Sequence, residues 1–400
     1  MIKVVVTGRG AISAIGNNVA ENRQRLITGQ TGLSKASKYF TSKFTESHPF
    51  GEIKMSDEEM LSSLAVPEMK GLTRTDLIAF KAFEEAIQEA GLDSDTLSHP
   101  RTGFISGSTV GGMVLTDQVF EDGSNRAQRT AFLESYDYCS HTLRIVEQYR
   151  IHGFTNTINT ACSSSANAIM MGARLIRSGR ADRVIVGGAD SLAKFTVNGF
   201  NSLQILSEDL CRPFDANRKG LNLGEAAAYL VLESEACAKG KKIYGTVSGY
   251  GNSNDAYHAS ALSEDAVGVI ACMRAALDHA GLEPAGIDYI NAHGTATENN
   301  DLIEITGLGK LFGEHLPPFS STKSFTGHTL AAAGALEAVY SLMSMEHGEL
   351  YASLNCEQPI SPLDELPIAA YQEQQEINAV LSNSFGFGGN CTSLVFKQHL

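Results

Sequence analysis

The sequence predicts an α/β protein built from two similar halves. Short apolar strands alternate with amphipathic helices along the 400 residues, a pattern typical of a sheet covered by helices. The alternation starts again at residue 241, which divides the chain into an N-terminal half at 1–240 and a C-terminal half at 241–400. Each half contains one helix whose first turns are nearly all small residues. Such helices can be buried on all sides, so we expect the two to lie back to back at the centre.

The first half begins with an apolar strand at residues 2–8 and a helix near 19–29. The glycines between them, Gly8 and Gly10, partly match a dinucleotide-binding fingerprint, but serine stands where the third glycine belongs. The pattern therefore disfavours nucleotide binding. Later elements predicted in this half are a helix at 73–90, strands at 101–107, 155–160, 183–190 and 226–233, and a helix that follows Cys162.

The second half repeats the same kind of alternation. The elements predicted here are strands at 243–250, 287–292, 378–385 and 391–397, and helices at 263–280, 300–312 and 327–348. The last of these helices opens on GHTLAAAGALEA, which has the same small-residue character as ACSSSANA in the first half. We interpret the pair as a trace of internal duplication.

Composition and charge exclude several classes of protein. With 43% apolar residues the chain can bury a sizeable core, whereas its net charge of -14 argues against a general nucleic-acid binder. The seven cysteines contain no Cys-x-x-Cys pair, so neither a disulfide framework nor a zinc site is indicated. We expect a cytoplasmic protein without a membrane span, because no long apolar segment precedes the first strand or interrupts the pattern later.

Cys162 is the first candidate for chemistry, because it follows a short strand and precedes a helix of small residues. A thiol at a helix N-terminus faces unpaired N–H groups and the positive end of the helix dipole, which favour the thiolate and lower the pKa. Residues 163–165 are all serine, and we expect them to supply N-cap hydrogen bonds. The alternative is a buried core cysteine, the commoner fate of this residue.

Three further polar clusters lie at predicted strand ends or helix starts, where parallel sheets gather their functional sites. They are His293-Gly294-Thr295-Ala296-Thr297, Lys323-Ser324-Phe325-Thr326-Gly327-His328, and the loop at 385–389. A single histidine is more often structural than functional, but two histidines and a lysine at such turns favour function. His293 and His328 are 35 residues apart and lack metal-ligand spacing, so the sequence disfavours a zinc site.

Four motifs in this order resemble those of the β-ketoacyl-acyl carrier protein synthases. They are TACSSSA around Cys162, NAHGTAT around His293, TKSFTGHTLAAAG with Lys323 and His328, and the closing NSFGFGG. The resemblance runs from VVVTGRGAIS through FDANRKGLNLGEAAAYLVLE to SLVF at the end of the chain. It implies the thiolase fold, in which two pseudo-duplicated α/β halves form five layers (αβαβα), and a dimer of two identical chains or of this chain with a related subunit.

The resemblance also implies a reaction, the decarboxylative Claisen condensation of fatty-acid synthesis. Cys162 would carry the acyl chain as a covalent intermediate, and His293 and His328 would stabilise the enolate left when malonyl-acyl carrier protein loses carbon dioxide. The backbone N–H groups of Cys162 and Phe387 would form the oxyanion hole, which Gly386 keeps accessible. The family needs no metal and no cofactor of its own, since the phosphopantetheine arm arrives on the carrier protein.

Other residues receive roles by the same resemblance. Lys323 would orient the histidines and hold Glu337; whether it transfers protons stays open. Asp301 and Glu304 would support His293. Thr295 and Thr297 would bind the pantetheine arm, and Phe385 would gate access to the cysteine. A core aromatic is an equally good interpretation of Phe385.

Binding surfaces are the least specified part of the resemblance. Val110 and Met113 match positions that line the acyl pocket across the dimer, and their sizes suggest a moderately open tunnel. An acidic carrier protein needs a local basic patch on this acidic chain, for which the candidates are Lys70, Arg74, Arg126 and Arg129. The alternative for these four is an ordinary solvated surface.

Two segments depart from the family pattern. The chain has Gly224-Glu225-Ala226-Ala227-Ala228 where Gly-Glu-Gly-Ala-Gly is common, and Asn390-Cys391 where Thr-Asn is common. Both departures are expected to reshape the tunnel wall or the dimer interface.

Several functions remain open within the resemblance. The first is an elongating synthase of fatty-acid synthesis, and the second a ketosynthase of a dedicated polyene or polyketide pathway with a chain-length-factor partner, which residues 217–225 slightly favour. A degradative thiolase is disfavoured, because the loop at 386–388 lacks the second cysteine that thiolases use. A partner subunit without activity is disfavoured because Cys162 is present.

Overall fold

The computed structural model describes residues 2–64, 71–125, 133–360 and 367–399. The strands are β1 (Val4–Ser13), β2 (Thr102–Gly107), β3 (Thr155–Ile158), β4 (Arg183–Asp190), β5 (Ala226–Ser234), β6 (Gly245–Asn254), β7 (Tyr289–Asn291), β8 (Phe319–Ser320), β9 (Ala379–Phe385) and β10 (Asn390–Lys397). The helices are α1 (Val19–Ile27), α2 (Asp57–Ser63), α3 (Arg74–Glu89), α4 (Ser94–Ser98), α5 (Thr116–Asn125), α6 (Ser140–Tyr149), α7 (Ser164–Arg177), α8 (Lys194–Ser202), α9 (Val267–Ala280), α10 (Glu298–Phe312), α11 (Lys323–Thr326) and α12 (Ala333–His347).

The strands of the two halves are arranged in the same order. The sequence across the sheet is β3-β2-β4-β5-β1 followed by β6-β10-β9-β7-β8. When the strands of each half are numbered from the start of that half and read from its outer edge to the junction, both halves have the order third, second, fourth, fifth, first. The pairing directions repeat as well, since β2 and β7 are parallel to both of their neighbours while β5 and β10 are antiparallel to theirs. The halves meet where β1 pairs with β6.

Helices cover both faces of each half and give five layers. The central core joins apolar residues of α7 and α12 to one face of the strands. Helix α3 packs on the opposite face of the first half and α9 and α10 on that of the second. The strands can serve two cores because successive side chains point to opposite faces. The α/β thiolase architecture expected from the resemblance is thus confirmed, while a domain boundary between residues 240 and 241 stays a prediction.

The two small-residue helices do lie against each other at the centre. A Cβ atom built on Gly334 of α12 would lie 2.9 Å from the Cβ of Ala166 in α7, so the absence of a side chain permits the close approach. The hydroxyl of Ser165 accepts a hydrogen bond from the N–H of Ala335 at 2.9 Å. Small side chains therefore bring together the two helix starts that follow Cys162 and His328.

Gly8 and Gly10 lie within the first strand, which is longer than predicted, and they permit close packing against it. β1 continues through Gly8 and Gly10 to Ser13. A Cβ atom on Gly8 would lie 2.3 Å from the carbonyl oxygen of Ala86, and one on Gly10 would lie 2.0 Å from that of Ala82. The glycines let α3 approach the sheet, which the local sequence pattern could not reveal.

The helix predicted at 327–348 is also wrong at its start. His328 is in extended backbone: its N–H donates to Asn222 O at 2.7 Å, and its carbonyl accepts from the N–H of Gly224 at 3.0 Å. These bonds form an isolated parallel bridge between Leu223 and His328, and α12 begins only at Ala333. Smaller differences concern β6, α9 and α10, whose observed bounds differ from the predicted bounds by two to four residues at one or both ends.

None of the helices in the described ranges combines the length and apolar character that crossing a membrane requires.

Candidate active site

Cys162 lies in the turn between β3 and α7, as the sequence predicts. Its side chain is buried, with 5% exposure. The preceding residue, Ala161, has a φ of 53°, a left-handed conformation that is uncommon for a residue with a side chain and recurs at functional sites. This sharp turn places the sulfur at the start of the helix.

The serines after Cys162 stabilise the turn, which corrects the prediction that they cap α7. Ser163 occupies the N-cap position but makes no capping bond; its hydroxyl lies 2.8 Å from both Thr160 O and Asn390 Oδ1. The hydroxyl of Ser164 accepts from the N–H of Thr160 and donates to the carbonyl of Ala161. These bonds close the turn on itself.

The thiol is less acidic than predicted. Burial raises the pKa of Cys162 to about 11, because the anion loses its hydration. The backbone N–H of Phe387 and the charge of Lys323 act in the opposite direction without overcoming burial. The resting side chain at neutral pH is therefore a thiol, and its proton must leave during any nucleophilic step.

Two backbone N–H groups converge on the sulfur, those of Cys162 and Phe387, and each lowers the thiol pKa by hydrogen bonding. Gly386 brings the second group close. A Cβ atom there would lie 2.6 Å from Thr160 O and 3.2 Å from Cys162 N, so only glycine fits. Paired N–H groups beside a nucleophile are the arrangement that binds an oxyanion.

His293 lies directly beyond β7 and is held by carboxylates of α10. Glu304 accepts the N–H groups of His293 and Gly294 at 2.9 and 2.8 Å. Asp301 accepts those of Thr295 and Ala296 at 2.9 and 3.1 Å. Burial raises the pKa of Glu304 to about 7 and that of Asp301 above its usual range. The pair fixes the backbone of the NAHGTAT loop, the geometry that a supporting role requires.

Lys323 defines the protonation of His293. Its Nζ donates to the carbonyl of His293 at 2.6 Å, lies 3.3 Å from Nδ1 of the same residue, and forms a buried ion pair with Glu337. Because an ammonium group can only donate, Nδ1 accepts and the ring proton belongs on Nε2. Burial and the neighbouring charge of Lys323 hold the pKa of His293 well below its usual value. His293 is therefore a neutral imidazole.

His328 reaches the same state by a different contact. The N–H of Leu330 donates to its Nδ1 at 3.2 Å, which again assigns the proton to Nε2. Burial, followed by the charge of Lys323, holds the pKa of His328 well below its usual value. Both rings are neutral and present an N–H donor on the nitrogen left free.

The three predicted catalytic side chains converge. One ligand atom from each of Cys162, His293 and His328 lies within 4.8 Å of the others, and the two imidazole ring centres are 5.4 Å apart. One sulfur and two nitrogens could also hold a zinc ion, a property that the sequence spacing did not suggest.

The converging groups form the floor of a cavity of about 330 Å³. Thr295 and Thr297 line it, with their hydroxyl oxygens 2.9 Å apart. The ring of Phe385 packs 5.7 Å from that of His293 and reaches the same cavity. The geometry thus brings the predicted pantetheine and gate residues to the triad.

A second, more apolar cavity of about 390 Å³ reaches Cys162 from another side. Met113 lines it together with Phe195, Phe200 and Leu203. Val110, predicted to line the acyl pocket across the dimer, is buried in a hydrophobic cluster against which Met113 packs, and its N–H donates to Asp190 at 2.9 Å; its place in a dimer pocket stays a prediction. Phe195 and Leu203 are exposed, with 57% and 48% of their surface accessible, and this cavity is open to solvent on that side.

Arg74 is not a free docking residue. Its guanidinium makes hydrogen bonds with Glu225 and Asp57 at 2.6 Å, and its side chain is 11% exposed. Burial lowers the pKa of its guanidinium, but the ion pairs with Glu225 and Asp57 outweigh burial and raise that pKa above the ordinary arginine value. It therefore ties α3 to the start of β5. The other docking candidates, Lys70, Arg126 and Arg129, lie outside the described residues.

Asp190, near the site, escaped the sequence reasoning, and the contacts of Asn390, noted there only as a departure from the family pattern, were not foreseen. Asp190 is fully buried and accepts hydrogen bonds from Ser108, Thr109 and the N–H of Ala331, so it links the cavity wall to the turn after His328. Asn390 contacts both halves through its amide. Asp190 is a carboxylate at the end of an apolar strand, a signal that could have been read from the sequence.

Comparisons with known proteins agree with this geometry. The family model described as beta-ketoacyl synthase, N-terminal domain, matches residues 1–238, and the corresponding C-terminal domain matches residues 244–357. A 3-oxoacyl-[acyl-carrier-protein] synthase 2 from Staphylococcus aureus (strain MRSA252) is 34% identical over 99% of this chain and 98% of its own length. One from Rhizobium meliloti (strain 1021) is 34% identical over 100% and 99%.

Solved structures extend the likeness. A chain of the ishigamide ketosynthase/chain length factor matches with a TM-score of 0.92 and 31% identity over 100% of both chains. A chain of the ketosynthase–chain length factor complex from Xenorhabdus doucetiae matches with a TM-score of 0.86 and 32% identity, covering 100% of this chain and 98% of the other.

Proposed function

We propose that this chain, which belongs to the β-ketoacyl synthase family, catalyses the decarboxylative Claisen condensation of an acyl chain on Cys162 with malonyl-acyl carrier protein. The product is a β-ketoacyl-acyl carrier protein two carbons longer than the acyl substrate. The observation that carries the proposal is the convergence of one thiol and two neutral imidazoles on one cavity. Carbon–carbon bond formation by this route needs a nucleophile and two donors, and each is present.

The first step transfers the acyl group to the enzyme. The sulfur of Cys162 attacks the thioester carbonyl of the acyl carrier protein, and the tetrahedral oxyanion binds between the N–H groups of Cys162 and Phe387. When the intermediate collapses, the carrier thiol leaves and accepts a proton, and an acyl-cysteine remains. Because burial raises the pKa of Cys162 to about 11, the thiol keeps its proton at rest. The proton passes through solvent from Cys162 to the departing carrier thiolate as the carbon–sulfur bond forms, since Nε2 of both histidines already carries a proton and serves as a donor.

The second step generates the carbon nucleophile. The malonyl thioester carbonyl accepts hydrogen bonds from Nε2 of His293 and His328, the carboxylate leaves as carbon dioxide, and its bonding electrons form an enolate. Decarboxylation supplies the carbanion, so that the step requires neither a strong base nor a metal. The enolate attacks the acyl-cysteine, and collapse of the second tetrahedral intermediate releases the sulfur of Cys162.

Residues around the triad bind the substrate arm, control access to the sulfur and orient His293. Thr295 and Thr297 bind the pantetheine arm, Phe385 gates access to the sulfur, and Lys323, held by Glu337, orients His293. The enzyme requires no cofactor of its own, because the phosphopantetheine arm is delivered by the carrier protein. Lys70, Arg126 and Arg129 remain candidates for docking that protein, and reversing the charge of Arg126 and Arg129 raises KM for the carrier-bound substrate.

A second chain completes the acyl cavity. Its open side carries the exposed Phe195 and Leu203, which supports burial of this face in a dimer. A homodimer fits an elongating synthase of fatty-acid synthesis. The alternative is a ketosynthase of a polyene or polyketide pathway paired with a chain length factor, supported by the structural likeness to two ketosynthase–chain length factor complexes. We place the enzyme in the cytoplasm, since the seven cysteines are all free thiols.

Product analysis tests the proposal and its alternative together. Purified enzyme is incubated with malonyl and acyl carrier proteins, and the products are weighed by intact-protein mass spectrometry alongside Cys162→Ser as the inactive control. A two-carbon extension by the enzyme alone, with a homodimer in native mass spectrometry, supports the elongating synthase. Extension only after a related subunit is added supports the second candidate. No extension under either condition contradicts both.

A further inference from the structure

Asn390 occupies a junction between the nucleophile and the loop that faces it. Its side-chain oxygen lies 2.8 Å from Oγ of Ser163, 2.9 Å from Nδ2 of Asn167 and 2.9 Å from Nδ2 of Asn252. Two of these donors belong to the first turns of α7, directly after Cys162, and the third belongs to β6 in the other half. The amide nitrogens of Asn167 and Asn252 can only donate, so the side-chain amide of Asn390 must turn its oxygen toward them.

The backbone of the same residue holds the opposite wall. The carbonyl of Asn390 accepts the N–H of Gly386 at 2.8 Å, and the N–H of Gly389 donates to Gly386 O at 3.1 Å. These bonds close the tight loop that carries the N–H of Phe387. Gly386 itself has no room to move toward Cys162, because even a Cβ atom would meet Thr160 O at 2.6 Å. The loop can therefore move only away from the sulfur, and Asn390 resists that movement.

We propose that Asn390 is a positioning residue that sets the spacing between the N–H groups of Cys162 and Phe387 and so determines how well they bind the oxyanion. The inference rests on the proposed function of the site. Oxyanion donors act only when they lie about 2.7–3.1 Å from the charged oxygen, and displacement by about 1 Å can cost roughly a hundredfold in rate. The side chain of Asn390 fixes one wall of the oxyanion hole and its backbone fixes the other.

An uncharged acceptor suits this position. A carboxylate could accept the same three hydrogen bonds, but it would place a negative charge near the site of the developing oxyanion and raise the pKa of Cys162 further. The amide supplies the acceptor without that charge. The departure from the family pattern at 390 therefore has a specific consequence, since the three donors above and the more distant hydroxyl of Thr392, at 3.4 Å, all depend on this one oxygen atom.

The test separates oxyanion binding from thiol reactivity. Single-turnover transfer of an acyl group from the carrier protein to Cys162 passes through an oxyanion, whereas alkylation of Cys162 by iodoacetamide does not. We expect Asn390→Ala to slow acyl transfer by about 10- to 100-fold while changing the alkylation rate by less than about threefold. The KM for the acyl carrier protein stays close to that of the wild type. An equal fall in both rates, or an unchanged acyl transfer, overturns the proposal.

A matched control and a second variant complete the design. Thr157 lies in β3 just before the same turn, but its hydroxyl donates to Oγ1 of Thr142 at 2.9 Å and not to Asn390, so Thr157→Val leaves acyl transfer within about threefold. Ser163→Ala removes a single donor from Asn390 and lowers acyl transfer less than Asn390→Ala does. The double variant is no slower than Asn390→Ala alone, because both changes break one contact.

The remaining outcomes are also decisive. If thermal unfolding indicates that Asn390→Ala does not fold, Ser163→Ala carries the test, and an unchanged ratio of acyl transfer to alkylation in that variant contradicts the inference. Failure of the wild-type enzyme to extend an acyl chain contradicts the proposed function instead. Wild-type condensation together with normal acyl transfer in the variants contradicts only the role of Asn390.

Discussion

Cys162 and His328 precede the two central helices of the duplicated fold, yet their backbones differ. The chain enters α7 two residues after Cys162, through one left-handed residue, Ala161. His328 lies five residues before α12 and is held in extended backbone by Asn222 and Gly224. The first arrangement places a sulfur beside backbone N–H groups. The second leaves an imidazole whose Nδ1 accepts a hydrogen bond from a local N–H and whose Nε2 carries the proton.

The difference follows from what each group must do. The sulfur of Cys162 forms a bond to carbon while negative charge develops on oxygen, and the N–H groups beside it stabilise that charge. His328 must keep a proton on Nε2, which requires an N–H donor at Nδ1. A duplicated fold can thus supply a nucleophile from one half and donors from the other.

The largest effect is expected from replacing the sulfur of Cys162, which tests whether the two halves have separate chemical roles. We expect Cys162→Ser to lower condensation by about a thousandfold or more, since a hydroxyl is a far weaker nucleophile without a dedicated base. Decarboxylation of malonyl-acyl carrier protein persists, because the histidines of the second half are intact. The two activities are measured by product mass and by release of carbon dioxide. Equal loss of both would show that the halves do not divide the chemistry.

Loss of a histidine has the reverse pattern. His293→Ala removes one of two donors to the enolate oxygen and is expected to slow malonyl decarboxylation by about 10²- to 10³-fold. Acylation of Cys162, followed as a mass increase on the intact protein, falls much less. His328→Ala is the matched variant from the extended segment. Acylation that disappears along with decarboxylation in both variants would contradict separate roles.

The buried ion pair tests how the second half holds His293. Lys323→Met removes the donor to Nδ1 and leaves Glu337 buried without its cation, so we expect about 3 kcal/mol less stability and decarboxylation about tenfold slower or worse. Glu337→Gln keeps an acceptor for Nζ of Lys323 and has a smaller effect on both. Thermal unfolding and carbon dioxide release provide the two readouts. Wild-type behaviour of Lys323→Met would remove it as a positioning residue.

The smallest effects concern pH. The pKa values of His293 and His328 lie well below 6.5, so both rings keep their neutral form as the pH falls from 8 to 6.5. In Cys162→Ala, decarboxylation is therefore flat across this range. Burial raises the pKa of the Cys162 thiol to about 11, so alkylation of the wild type rises about tenfold per pH unit through pH 9.

Two contrary results would bear on these pKa directions, one on the thiol of the first half and one on the buried groups of the second. An alkylation rate that levels off near pH 7 would mean an acidic thiol, as the helix-dipole argument predicted. A decarboxylation rate that falls between pH 8 and 6.5 would mean that a buried group of the site takes up a proton in this range, such as an imidazole or Glu304, whose pKa burial raises to about 7.

Local patterns predicted much of the fold and the three residues of the triad. Helix α3 could be predicted because its apolar residues have helical spacing and Gly91 follows it. Strand β4 could be predicted because a run of apolar residues ends at two glycines and Asp190. Cys162, His293 and His328 were found because each stands where a strand or helix ends in a recognisable motif. Such signals are carried by neighbours in the chain.

Other predictions were wrong because they depended on residues far away in sequence. The first strand was predicted to end at residue 8, but it continues to Ser13, because Gly8 and Gly10 let α3 pack against it. Arg74 looked like a surface cation, although Glu225, 151 residues away, neutralises it. The serines after Cys162 resembled helix caps, but Asn390 lies beside the hydroxyl of Ser163.

The amino-acid sequence by itself determined that two α/β halves would each bring a small-residue helix to the centre and that a thiol and two imidazoles would accompany them. Only the tertiary structure decided the protonation of those groups. A pKa depends on how much water is removed and which charges come near, and both follow from contacts between segments that local periodicity does not connect. Burial made the thiol weakly acidic, and Lys323 and the N–H of Leu330 assigned each imidazole its proton.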